Sequence, residues 1–135
     1  MKRLAAVSAA QLCLGVTGLR RALRDRNAYD VGFRRGSAEN MESDQWFIGT
    51  ALSAPNFMLI LQGMCTALLL VRPRRWMARV LGVLGAVMTC GQAAERPVRA
   101  AWRHWDARIA PLTAAATVLA AVMAWWGLVG DPAEN

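Results

Sequence analysis

Residues 47–94 read FIGTALSAPNFMLILQGMCTALLLV, then RPRR, then WMARVLGVLGAVMTCGQAA. The first run, 47–71, carries no charge over its whole length. The last, 76–94, carries only Arg79, one turn in from its start. An apolar stretch of about 20 residues spans the hydrocarbon core of a bilayer as a helix. Two such stretches joined by four residues predict a pair of antiparallel membrane helices. Pro73 ends the first helix, and Arg72, Arg74 and Arg75 are placed to meet anionic lipid headgroups.

Two further runs complete the pattern. Residues 109–129, IAPLTAAATVLAAVMAWWGLV, are uncharged. Residues 4–19, LAAVSAAQLCLGVTGL, are uncharged but short. Lys2, Arg3, Arg20 and Arg21 can snorkel from the ends of that run, and a helix continuing through Leu23 would lengthen it. The expected fold class is therefore all-α: one membrane domain, a bundle of four transmembrane helices over 4–19, 47–71, 76–94 and 109–129. Alternating strands are absent, and an unclosed backbone has no partners in lipid. A cleaved leader fits the first run less well than a retained span, because Val16-Thr17-Gly18 is followed almost at once by Arg20-Arg21.

The tryptophans sit where this placement wants them. Trp46 precedes the second run, Trp76 opens the third, Trp102 and Trp105 lead into the fourth, and Trp125 and Trp126 close it. An indole combines an apolar body with one N–H donor and favours the headgroup level. In the segment 97–108, Val98, Ala101, Trp102, Trp105 and Ile109 fall on one helical face, with Arg99, Arg103 and Asp106 on another. That pattern predicts a short amphipathic helix lying in the interface, with Arg99 and Arg103 toward phosphates.

The connecting loop 20–46 places Arg20, Arg21, Arg24, Arg26, Arg34 and Arg35 after the first helix end. Asp25, Asp30, Glu39, Glu42 and Asp44 are mixed among these arginines or precede the second helix. Most of these charges suit the helix dipoles, with Ser43 or Asn40 as a cap. Charge counting leaves the orientation open, since the two sides carry different arguments from density and number.

Composition limits function. Of 135 residues 56% are hydrophobic and 19% charged, with a formal charge of +7. Because the arginines collar apolar runs, the basicity points to phospholipid phosphates and away from nucleic acid. Fifteen arginines to one lysine suggest a GC-rich, bacterial genome and hence a bacterial cell membrane. Catalysis finds little support. His104 is the only histidine, and no HxxxH, HxxE or CxxC spacing offers a metal or haem site. Cys13, Cys65 and Cys90 lie in three different runs, without the CxxC spacing of thiol oxidation. The single lysine, Lys2, excludes a P-loop, and neither GxGxxG nor GxSxG occurs. No cofactor is expected.

In size and span number the chain resembles the small multidrug resistance transporters. Their central feature is a membrane-embedded glutamate in the first helix; here that helix offers only Gln11, which carries no proton, so the assignment is rejected. The polar groups at depth are all uncharged: Gln11, Ser53, Asn56, Gln62, Thr66, Thr89 and Gln92. Interhelical hydrogen bonds account for them. A kink at Pro55, with Asn56 beside it, would place a polar pocket near the middle of the second helix. Small residues four apart (Ala78, Gly82, Ala86, Cys90; Ala116, Ala120, Ala124; Ala5, Ala9, Cys13) predict faces for helix packing or oligomerisation. The expected role is a non-catalytic packing, accessory or lipid-interacting protein. The alternative is a small transporter or amphiphile-binding protein around the kinked helix.

Overall fold

The computed structural model describes residues 1–25 and 54–130. Within them the chain forms five helices and no strand: α1 (Lys2–Asp25), α2 (Asn56–Val71), α3 (Arg75–Ala94), α4 (Arg96–His104) and α5 (Ala110–Leu128). The expected α-helical class holds. Trp46, Ser53, the caps Ser43 and Asn40, and the loop beyond Asp25 lie outside the described residues.

α1 runs through Leu23 to Asp25, 24 residues in all. At 1.5 Å per residue it is about 36 Å long, because it takes in Lys2, Arg3 and the arginines beyond Leu19 as well as the uncharged run. α3 and α5 are each long and apolar enough to cross a membrane. α2 is apolar over 16 residues. Among the four long helices, α1 packs on α2 and α5, while α3 packs on α2 and α5 as well. The neighbours thus close a ring, and the α3–α5 contact is the most extensive.

Pro55, Pro97 and Pro111 act differently at the helix ends. Pro55 has φ −53° and ψ 147°, an extended conformation immediately before α2. It opens this helix and does not kink it, which corrects the expectation of a bend at mid-span. A proline nitrogen has no hydrogen to donate, and its ring disfavours helical backbone at the residue before it, here Ala54. Its own carbonyl is used at once, accepting from the amides of Met58 at 3.0 Å and Leu59 at 3.2 Å.

Pro97 separates α3 from α4. A continuous helix would drive its ring against the Ala93 carbonyl and leave that oxygen without a donor. The break falls at Glu95, which is extended (φ −67°, ψ 123°). Arg99 Nη1 then donates to the carbonyl oxygens of Ala93 at 3.0 Å and Ala94 at 2.9 Å. A side chain one turn ahead closes the helix end that the proline cannot. Pro111 sits in the first turn of α5, where the missing N–H costs nothing.

α4 ends earlier than its amphipathic pattern implied. Trp105 takes a left-handed conformation with φ 44°, and the Asp106 amide donates to the Ala101 carbonyl at 3.0 Å. Trp105 and Ile109 therefore do not continue the face of Val98 and Ala101. Those two are buried, whereas Trp105 is exposed. Asp106 Oδ1 accepts the Arg108 amide at 2.8 Å and shapes the turn into α5.

The buried positions follow a spacing near 3.5, not four. In α1 they are Leu4, Ala5, Ser8, Gln11, Gly15, Gly18 and Ala22. In α5 they are Ala110, Thr113, Ala116, Ala120, Met123 and Gly127. A strict four-residue row drifts about 40° per step around a helix. That is why Ala9, Cys13 and Cys90 face outward, although Ala5, Ala78, Gly82, Ala116 and Ala120 are buried as the small-residue rows implied.

Candidate functional site

Two polar clusters lie between the helices. The first joins α1 to α2 and is fully enclosed: Ser8 and Gln62 have no exposed surface, and Gln11 almost none. The Gln62 amide nitrogen donates to the Ser8 carbonyl at 2.9 Å and to Gln11 Oε1 at 2.8 Å, with Ser8 Oγ at 3.2 Å. Met123 Sδ of α5 approaches the same nitrogen at 3.8 Å. Thr66 gives its one hydroxyl proton to the Gln62 carbonyl at 2.7 Å. In the 2.8 Å bond between Ser8 Oγ and Thr66 Oγ1, Ser8 must then be the donor. Hydrogen bonds cross between the helices both ways, from Gln62 to α1 and from Ser8 to α2, and every member of the cluster is uncharged.

One atom stands outside this order. Gln62 Oε1 is buried with no hydrogen-bond partner among the described residues. Turning the amide over would set its oxygen against two acceptors, the Ser8 carbonyl and Gln11 Oε1, so the orientation is fixed by its neighbours.

The second cluster ties α3, α4 and α5 together near their Glu95 end. Thr117 Oγ1, with one proton to give, lies against two acceptors, Gln92 Oε1 and the Thr113 carbonyl, the latter at 2.7 Å. Thr113 accepts the Trp102 indole N–H at 2.9 Å and gives its own proton to the Ile109 carbonyl at 2.9 Å. Trp102 is thus a fixed strut between α4 and α5. Thr89, in contrast, bonds within its own helix to the Gly85 carbonyl.

Gln11 and Gln62, two of the uncharged polar groups noted in the apolar runs, meet, and Thr66 joins them. Gln92 lies in the other cluster, and Asn56 sits at the start of α2 beside Pro55. Ser8 was missed by sequence reasoning. Its signal was its place in the series Leu4, Ser8, Gln11, Gly15, Gly18, which a spacing near 3.5 would have collected.

The arginines gather at the two ends. One end combines Arg72, Arg74, Arg75 and Arg79 with Lys2 and Arg3, and every one of these side chains is exposed. At the other end Arg21 Nη1 donates to the Arg108 carbonyl at 2.6 Å, beside a cavity of about 550 Å³ also lined by Arg24, Asp25 and Ile109. Arg103 and His104 close α4 and are exposed there. Trp76, Trp105 and Trp125 are more than half exposed, and Trp126 is half-buried. No three His, Cys, Asp or Glu side chains among the described residues are placed to hold a metal ion.

Comparison with protein-family models, with curated proteins and with solved structures gives no match for this chain.

Proposed function

We propose that the chain is a multi-pass membrane protein, a bundle of four transmembrane helices in which α4 lies at the interface. Its role on this reading is non-catalytic: packing against lipid and other membrane subunits, in a bacterial cell membrane as its arginine-heavy composition suggests. The observation that carries this is an inverted distribution of polarity. Ser8, Gln11, Gln62 and Thr66 are buried, while Ile60, Met64, Leu68, Val83, Val87 and Val118 are exposed. Water would reward the opposite arrangement. Only 33% of the apolar window of α3 and 28% of that of α5 is buried, so most of each apolar surface faces outward.

Alkaline carbonate extraction of membranes from cells expressing the protein tests this. The protein is expected in the pellet; release into the supernatant would end the reading. The exposed arginines at both ends, with Trp76, Trp105 and Trp125, suit the headgroup layers.

A second reading, a small carrier or amphiphile-binding protein, draws on Gln62 Oε1, the buried acceptor without a described donor. Cysteine placed at Asn56 and at Gln62 separates the two. A carrier makes both reachable by a water-soluble maleimide. A packing role leaves Gln62 unreactive, and Gln62→Cys then costs stability only.

A further inference from the structure

The α3–α5 pair carries two adjoining hollows of opposite character. At the Met1 end, a cavity of about 270 Å³ is lined by Arg75, Arg79 and Trp126 among apolar neighbours. Further along the same helices, on their outer side, an apolar groove of about 340 Å³ runs past Ala86, Cys90, Ala121 and Trp125. Leu128 and Val129 form a wall of both. At 100° per residue, Arg75, Arg79, Ala86 and Cys90 lie within about 60° of one another on α3. A basic mouth thus stands directly above a groove on one helical stripe.

From these features we infer that this stripe binds one anionic glycerophospholipid, its phosphate between Arg75 and Arg79 and one acyl chain in the groove. The inference rests on the membrane reading above. Charge selects the headgroup. Every described titratable side chain at this end is a cation (Lys2, Arg3, Arg72, Arg74, Arg75, Arg79), whereas the described carboxylates Asp25, Glu95 and Asp106 sit at the other. Depth selects the chain. From Arg79 to Cys90 is about 16 Å along the helix, close to half of a ~30 Å hydrocarbon layer and so to the reach of a single leaflet. A free phosphate would gain nothing from the groove. A second copy of the chain in parallel would bring an equally basic end against this one.

Native mass spectrometry of the full-length protein in mild detergent tests it, with equimolar phosphatidylglycerol and phosphatidylcholine added. The expected result is one retained phosphatidylglycerol, favoured roughly fivefold for each arginine engaged. The double variant Arg75→Gln/Arg79→Gln should bring the ratio of the two lipids close to one. Arg72→Gln/Arg74→Gln, at the same end but outside the cavity, should leave the preference in place. Ala121→Phe should lower retention of both lipids without changing their ratio, and excess inorganic phosphate should displace neither. An unchanged ratio in the Arg75/Arg79 variant, undiminished retention in Ala121→Phe, or displacement by phosphate would each overturn the inference. Circular dichroism of each variant confirms that its helices are intact. Carbonate extraction of the same proteins separates the two failures: a membrane-retained protein without lipid preference sinks this site alone, while an extractable one sinks the membrane reading beneath it.

Discussion

Two seams hold the long helices together by different means. Between α3 and α5 the backbones meet directly. A β-carbon on Gly85 would stand 2.5 Å from the Ala120 carbonyl oxygen, and one on Gly127 would stand 2.5 Å from the Ala78 oxygen and the Gly82 α-carbon. Between α1 and α2 a β-carbon on Gly15 or Gly63 would meet only a leucine side chain, at 3.1 and 3.5 Å, and Ser8, Gln11, Gln62 and Thr66 bond across the interval. In lipid, helices gain no hydrophobic drive toward one another, so close packing and interhelical hydrogen bonds are what remain. On the membrane reading, close packing dominates the α3–α5 seam, which has the Thr117–Gln92 hydrogen bond toward one end, and hydrogen bonds dominate the α1–α2 seam. Around Gly82, Gly85 and Gly127 the first seam tolerates no added volume; the polar seam depends on its donors and acceptors.

That contrast can be broken experimentally, and the largest effect belongs to the glycine seam. Gly127→Leu must push backbone from backbone, with no flexible side chain to give way. A loss of about 3 kcal/mol or more in detergent unfolding is expected, at the upper end of overpacking costs. A near-neutral result would mean that the seam opens freely. Gly85→Val should act similarly, through Ala120 and Ala124.

The polar seam should respond less. Gln62→Leu removes the amide that Ser8 and Gln11 share and leaves those partners under-bonded, for about 1–2 kcal/mol. Ser8→Ala should cost about 1 kcal/mol alone and less in the Gln62→Leu background, because both changes break one network. Strict additivity would show that the cluster is not cooperative. Smallest of all is Gly91→Ala. A β-carbon there meets nothing within 4 Å, so greater helix propensity should make it neutral or stabilising by up to about 1 kcal/mol.

The contrast between the seams also marks what the sequence could reveal. Ala78 and Gly82 are recognisable as a close-packing face because small residues recur there. Gly85 and Gly127, which make the tightest approaches, fall off a strict four-residue row and escape it. Gln11 and Gln62 stand out as polar groups in apolar runs, yet nothing in one dimension says that they bond each other, or that Ser8 completes the set. Such pairing is settled by which helices become neighbours. Pro55 misled for a related reason. Uninterrupted hydropathy over 47–71 hides a local rule: a proline with ψ 147° starts a helix, whatever apolar residues precede it. Arg99 holds a role that its charge alone does not announce. Its charge suggested a lipid contact; what one dimension did not reveal is that its guanidinium, still exposed, also closes the end of α3 left open by Pro97.

The account turns on polarity being inverted across α2, and a spin-label scan of that helix tests it most directly. In a background with Cys13, Cys65 and Cys90 replaced, single cysteines are labelled from 57 to 69 in reconstituted vesicles. Collisions with molecular oxygen and with a water-soluble nickel chelate are then compared. Oxygen accessibility should peak at Ile60, Met64 and Leu68 with little nickel contact, and both reagents should fall to minima at Met58, Gln62 and Leu69. Strong nickel contact at Ile60, Met64 and Leu68 would place that face in water and contradict the account.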